Sequence, residues 1–68
     1  MIAYRFLTAI DDATFCHKVT KALADGWTLY GGPTYAYDAA EAKMRCGQAV
    51  TKEVRNQDYD PDMKLGAL

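Results

Sequence analysis

The sequence predicts an α+β fold: a β-α-β-β chain forming a three-stranded, mostly antiparallel sheet with one helix packed on one face. Three observations carry that expectation. Ile2 to Leu7 is rich in β-formers and alternates with a two-residue period. Phe15, Val19, Ala22 and Leu23 recur at helical spacing. Gly26 to Val54 then reads as one long antiparallel hairpin with a kink at Gly31-Gly32-Pro33. Residues 1–54 make the single compact domain, and residues 55–68 form a polar C-terminal tail, loose or docked on a neighbouring subunit.

In the first strand Ile2, Tyr4 and Phe6 share one face and Ala3, Arg5 and Leu7 the other. Thr8 to Asp11 is the expected turn. Asp11 is placed to cap the helix, because its carboxylate can accept from the free N–H groups of the first turn. Asp12 adds negative charge where the helix dipole favours it. The helix is expected over Asp12 to Asp25, with Cys16 beside its apolar stripe and Lys18, Lys21 and Asp25 pointing away. Gly26 suits the left-handed position that ends helices.

For the hairpin, a loop over Asp38 to Lys43 sets Tyr37 opposite Met44. Equal lengths then pair Tyr35 with Cys46, Gly32 with Ala49, Leu29 with Lys52 and Trp27 with Val54. Directly opposed residues share a face. One face collects Trp27, Leu29, Tyr35, Tyr37, Met44, Cys46, Val50 and Val54, and wants the helix. The other is small and polar, with Tyr30 and Arg45 as its only large members. The last strand reads as longer than the first, which predicts an overhanging edge in need of a partner.

A chain of 68 residues buries only ~60% of its unfolded surface and has little stability to spare. Half of its residues are hydrophobic, five of them Tyr, which suits a folded domain. Eight Lys and Arg against nine Asp and Glu give a net charge of −1, so the basic excess of a nucleic-acid module is missing. No apolar run approaches the ~18 residues of a membrane span. Met1-Ile2-Ala3-Tyr4-Arg5 lacks the pattern of a signal peptide, and a cytoplasmic location is expected. Two cysteines in that compartment are read as reduced thiols, which leaves self-association as the extra source of stability.

No catalytic constellation emerges. Cys16 and His17 are adjacent on a helix, so their side chains diverge by ~100° and cannot share a metal easily. With Cys46 they make three badly spaced ligands where structural zinc wants four. Both cysteines read as small core residues and His17 as a surface helix residue. Capping accounts for Asp11 and Asp12. Gly31 and Gly32 lie inside a hairpin and precede a proline, unlike a phosphate loop. They read as a bulge, or as a place where missing side chains admit a ligand or another backbone. Gln48 falls on the face under the helix, opposite Pro33, where its amide either satisfies backbone freed by the bulge or reads a ligand. Trp27 reads as a core anchor and Tyr30 as an exposed aromatic.

Tyr4 in a first strand, a helix, then Gly26-Trp27, Gly31-Gly32 and Gly47-Gln48-Ala49 before a Val-Thr-Lys strand resembles the family called domain of unknown function 1737, short proteins of bacteria and phages. Phe15-Cys16-His17 and Cys46-Gly47-Gln48-Ala49 look like its proteobacterial branch. The likeness covers about residues 2 to 54. It implies a compact strand–helix–hairpin unit with no assigned activity and no cofactor. The expectation is therefore a non-enzymatic, homo-oligomeric binding or accessory module, a dimer first, with a small-molecule or protein partner. Its contact residues are Tyr30, Gly31, Gly32, Arg45 and Gln48. Small phage proteins of comparable layout act as sponges for nucleotide immune signals. By that analogy the alternative is a ligand held between subunits, Tyr30 stacking a base and Arg45 holding phosphate. Fold alone does not transfer function.

Overall fold

Burial of one face of two of the three strands under a short helix organises the chain. A computed structural model describes residues 1–68. It contains β1 (Ile2–Ile10), α1 (Ala13–Ala24), β2 (Thr28–Asp38), β3 (Lys43–Glu53) and a terminal 3₁₀ turn (Leu65–Ala67). The strands form one sheet in the order β1-β3-β2, antiparallel throughout. The β-α-β-β architecture is therefore the one expected from the sequence.

β1 runs three residues further than expected. Thr8, Ala9 and Ile10 continue the ladder opposite Gly47, Cys46 and Arg45, so the strand pairs along its whole length from Ile2↔Glu53 to Ile10↔Arg45. β3 is consequently the central strand with partners on both sides, and it has no overhanging edge. The sheet's free edges are those of β1 and β2.

The longer β1 shifts the start of α1 by one position. Asp12, not Asp11, is the N-cap: its Oδ1 accepts from the Thr14 N–H at 2.8 Å. At the other end Gly26 takes φ +98°, and the N–H groups of Gly26 and Trp27 return to the carbonyls of Leu23 and Ala22. That turn drives Trp27 under the helix terminus. Trp27, Ala22, Ala3, Leu7 and the fully buried Val50 make the core, with Val19, Val54, Leu65 and Leu68 packed around it. The stripe rotates slightly from the expected one: Phe15 and Val19 are half-buried, but Leu23 is 44% exposed. Cys16 is exposed and Cys46 only half-buried, so neither cysteine is a core residue.

The hairpin keeps the expected register near its tip, from Asp38↔Lys43 to Thr34↔Gly47. Below the kink the partners slip by two, to Tyr30↔Ala49, Leu29↔Val50 and Thr28↔Thr51. Leu29 thus faces Val50 and not Lys52. Gly31, Gly32 and Pro33 together stand opposite Gln48, with Gly31 at φ +70°. Because the insertion is two residues, side-chain parity survives and the face assignments within the hairpin hold. Proline is tolerated there because β2 is an edge strand.

The second face differs from expectation in composition. Pairing with β3 places Ile2, Tyr4, Phe6 and Ile10 of β1 beside Thr51, Ala49 and Gly47, on the face that also carries Tyr30. Ile2 is 75% exposed, Tyr4 52%, Phe6 49% and Tyr30 64%, so this face is broadly apolar.

The segment after Val54 turns back onto its own domain. Met1 and Val54 exchange two backbone hydrogen bonds of 2.8 Å. Leu65 and Leu68 reach the core, and Gly66 lies against the Arg5 guanidinium. The whole measures 43 × 23 × 19 Å with a radius of gyration of 13.5 Å, longer than the roughly 11 Å of a compact chain this size. At about 3.3 Å per residue against about 1.5 Å in the helix, the 11-residue hairpin strands outrun the 12-residue helix about twofold.

Gly47 is the position where a missing side chain matters to the fold. A Cβ there would stand 2.5 Å from Thr34 Oγ1 and collide with the end of the Phe6 ring, which covers it. Gly47→Ala should lower unfolding free energy in urea by about 1 kcal/mol, since Phe6 and Thr34 can partly swing aside. Gly32→Ala, whose Cβ meets nothing within 4 Å, should stay within about 0.5 kcal/mol.

Candidate functional site

The kink in β2 gathers four of the five expected contact residues. Gln48 is buried beneath it, on the helix side of the sheet, at 6% exposure. Its Nε2 donates to the carbonyls of Ala49 at 3.0 Å, Gly31 at 3.2 Å and Tyr30 at 3.4 Å. These are carbonyls beside the kink and on the neighbouring central strand, so the amide ties the bulge to β3. Gly31 and Gly32 lie above it with open space around both Cα atoms. Tyr30 projects from the opposite face, in one cross-strand row with Ala49 and Phe6. The bulge thus presents a phenol beside two bare backbone units on a pinned support.

Arg45 does not join this group. It sits in the row of Ile10 and Ala36, four residues along β3 from Ala49, or about 13 Å. Its Nε donates to Asp38 Oδ2 at 3.1 Å. Asp38 also accepts from the N–H groups of Ala40 and Glu41 at 3.1 and 3.2 Å, closing the hairpin loop in which Ala42 takes φ 53°. The Glu41 N–H foremost, then Arg45, hold the Asp38 carboxyl below the usual carboxylate range.

Two clusters were not foreseen. Asp11, released from capping, accepts a hydrogen bond from the Tyr35 hydroxyl and a longer one, 3.8 Å, from Cys46 Sγ. The bond to Asp11 pushes the Tyr35 phenol up; partial burial, then the Asp11 charge, does the same for the Cys46 thiol. These two bonds to Asp11 fasten the helix entrance to the hairpin. The signal was the second of two adjacent aspartates, since one cap needs only one carboxylate. The other cluster surrounds Trp27, with the Arg5 guanidinium 5.2 Å and the Lys52 ammonium 5.9 Å from the ring centroid. Alternation alone could have put Arg5, Lys52 and Trp27 on one face, had β1 been paired with β3 at the outset.

No three His, Cys, Asp or Glu side chains come together as a metal site. No helix is long and apolar enough to cross a membrane.

The family model described as Domain of unknown function (DUF1737) matches residues 1–53. The chain belongs to this family. The match spans β1, α1 and the whole hairpin and stops before the returning tail, so the bulge and both clusters lie in the DUF1737 unit. No curated protein and no solved structure matches the chain.

Gln48→Leu keeps the volume but leaves the carbonyls at the bulge without their donor. It should cost about 1–3 kcal/mol in chemical denaturation, with amide exchange accelerating first around Tyr30 to Pro33. The lowered Asp38 pKa has a definite sign. Its contribution to the loop is complete above the ordinary carboxyl pKa and disappears as pH falls through the lower, folded-state value. In an NMR titration the Ala40 and Glu41 amides should hold position down to about pH 4 and move only below it. An Asp38→Asn protein should lack that acid transition.

Proposed function

We propose that this DUF1737 protein is a non-enzymatic, cytoplasmic binding module that works as a homodimer through its open sheet face. One observation carries the reading: Ile2, Tyr4, Phe6 and Tyr30 stand exposed together around Ala49 and Gly47. Large apolar side chains surround the small residues of the central strand on this face, and the Phe6 ring lies over Gly47. Exposed aromatics around a flat centre are the chemistry of a protein contact surface. The monomer also has reason to associate, because only 7 of its 68 residues are buried. A second copy related by a two-fold axis would lay the same apolar face against its own.

A nucleotide held between subunits is the second reading. It is favoured by the open space over Gly31 and Gly32 beside the exposed Tyr30 phenol. It requires Arg45 to leave Asp38, or a different cation to meet the phosphate.

Sedimentation equilibrium on the full chain tests the first reading. The native protein should associate as a dimer, and Tyr4→Asp or Tyr30→Asp should weaken association by about 30-fold or more, the size of one interface hot spot, with circular dichroism unchanged. A native protein that stays monomeric at all concentrations would overturn the dimer. Native mass spectrometry of protein from its own source tests the second, which demands a stoichiometric nucleotide mass on the assembly.

A further inference from the structure

Arg5 is the unusual cation of this chain. It projects from β1 on the core side, in the row of the fully buried Val50, and is itself half-buried. Its guanidinium lies over the Trp27 ring on one side and meets the tail backbone at Gly66 on the other, where a Cβ would stand 3.6 Å from Nη2. It takes part in neither of the chain's two ion pairs. A guanidinium so wedged has lost the freedom that usually makes binding by arginine costly, and keeps its fork of N–H donors for an oxyanion.

The surroundings continue the theme. Arg5, Lys18, Lys21, Ala22, Asp25 and Gly66 line a pocket of ≈ 240 Å³. Lys18 is held over it by donating to the Thr8 carbonyl at 2.8 Å, and Lys21 by its 2.9 Å bond to Asp25. Asp25 is the single acid among three cations, leaving a surplus of two positive charges in a protein whose net charge is −1. The Lys21 hydrogen bond first, then the charges of Lys21, Lys52 and Arg5, hold the Asp25 carboxyl below its usual range. The indole N–H of Trp27, whose ring the Arg5 guanidinium overlies, is buried without an acceptor.

We propose that Arg5, Lys18 and Lys21 form a binding site for a phosphoryl group, capped by the returning tail at Gly66. The dianionic charge of a phosphate matches the surplus, its tetrahedral oxygens suit one guanidinium fork flanked by two ammonium groups, and the volume is below the ~300–1,000 Å³ of pockets that enclose a drug-sized ligand. The site therefore takes free phosphate or the terminal phosphate of a larger molecule. It lies across the sheet from Tyr30 and does not depend on the proposed dimer.

Trp27, the only tryptophan, reports on this site directly. Inorganic phosphate is titrated into the full chain at constant ionic strength, with chloride as the balancing anion, while Trp27 emission and Tm are followed. Emission should change saturably and Tm should rise. Arg5→Gln should weaken the affinity about tenfold or more, as loss of a charge-assisted contact does. Lys43→Gln, at the distant hairpin tip, should leave it unchanged. If Arg5→Gln fails to fold, Lys18→Gln at the exposed rim carries the same expectation. O-phosphoserine distinguishes the two sources: competition with phosphate assigns the site to phosphate esters, and its failure to compete assigns it to the free anion. No saturable response, an equal response to chloride or acetate, or unaltered affinity in the variant that folds would overturn the proposal.

Discussion

Everything in this molecule depends on the contact between one face of a 12-residue helix and the β1–β3 half of the sheet. Val50, at the middle of the central strand, is the point where that contact is complete, and Ala3, Leu7, Ala22 and Trp27 close around it. The helix has too few turns to reach further. Leu29, Tyr35 and Tyr37 of β2 lie on the same side of the sheet as Val50 but at 49%, 61% and 63% exposure, because no element extends over them. The opposite face has no cover at all. A small core with large apolar margins is the expected outcome when a chain this short must also carry a binding surface.

The tail compensates in part. Leu65 and Leu68 add apolar contact at the end of the core, and Gly66 closes over Arg5. Arg5 and Lys52 lie beside the Trp27 ring, so their aliphatic stems and cationic heads help shield an indole that the helix alone would leave open. Since the family match ends at residue 53, the part of this closure made by Leu65, Gly66 and Leu68 is supplied by chain outside the DUF1737 unit.

The elements that local chemistry dictates were legible in the sequence. A helical stripe ended by Gly26, and a hairpin whose tip pairs Tyr37 with Met44, need only near neighbours to be read. What escaped depended on which strand lies in the middle. Nothing local says that β3 is central, and that single fact lengthens β1, removes the overhanging edge and puts Tyr4 and Phe6 beside Tyr30. The role of Asp11 depends on the same fact. With β1 running to Ile10, the turn shrinks, Asp12 becomes the cap, and Asp11 turns to Tyr35 and Cys46. Of the contact residues, Gln48 lies under the bulge, a position its register opposite Pro33 already implied, whereas Arg45 shares the face of Tyr30 but stands about 13 Å along β3 from Ala49.

The kink at Gly31-Gly32-Pro33 has a consequence for how this chain can vary in length. Its two surplus residues amount to one full period of a strand, so the rows on either side of it keep the same sidedness. Removing both would leave one residue opposite Gln48 and every flanking pair in place, with Leu29 still toward the core and Tyr30 toward the open face. Removing one would turn the whole first half of β2 over, bringing Thr28 and Tyr30 to the helix side and sending Leu29 out. The hairpin therefore accepts changes of length in pairs, and an odd insertion or deletion there exchanges the inside of the protein for its outside.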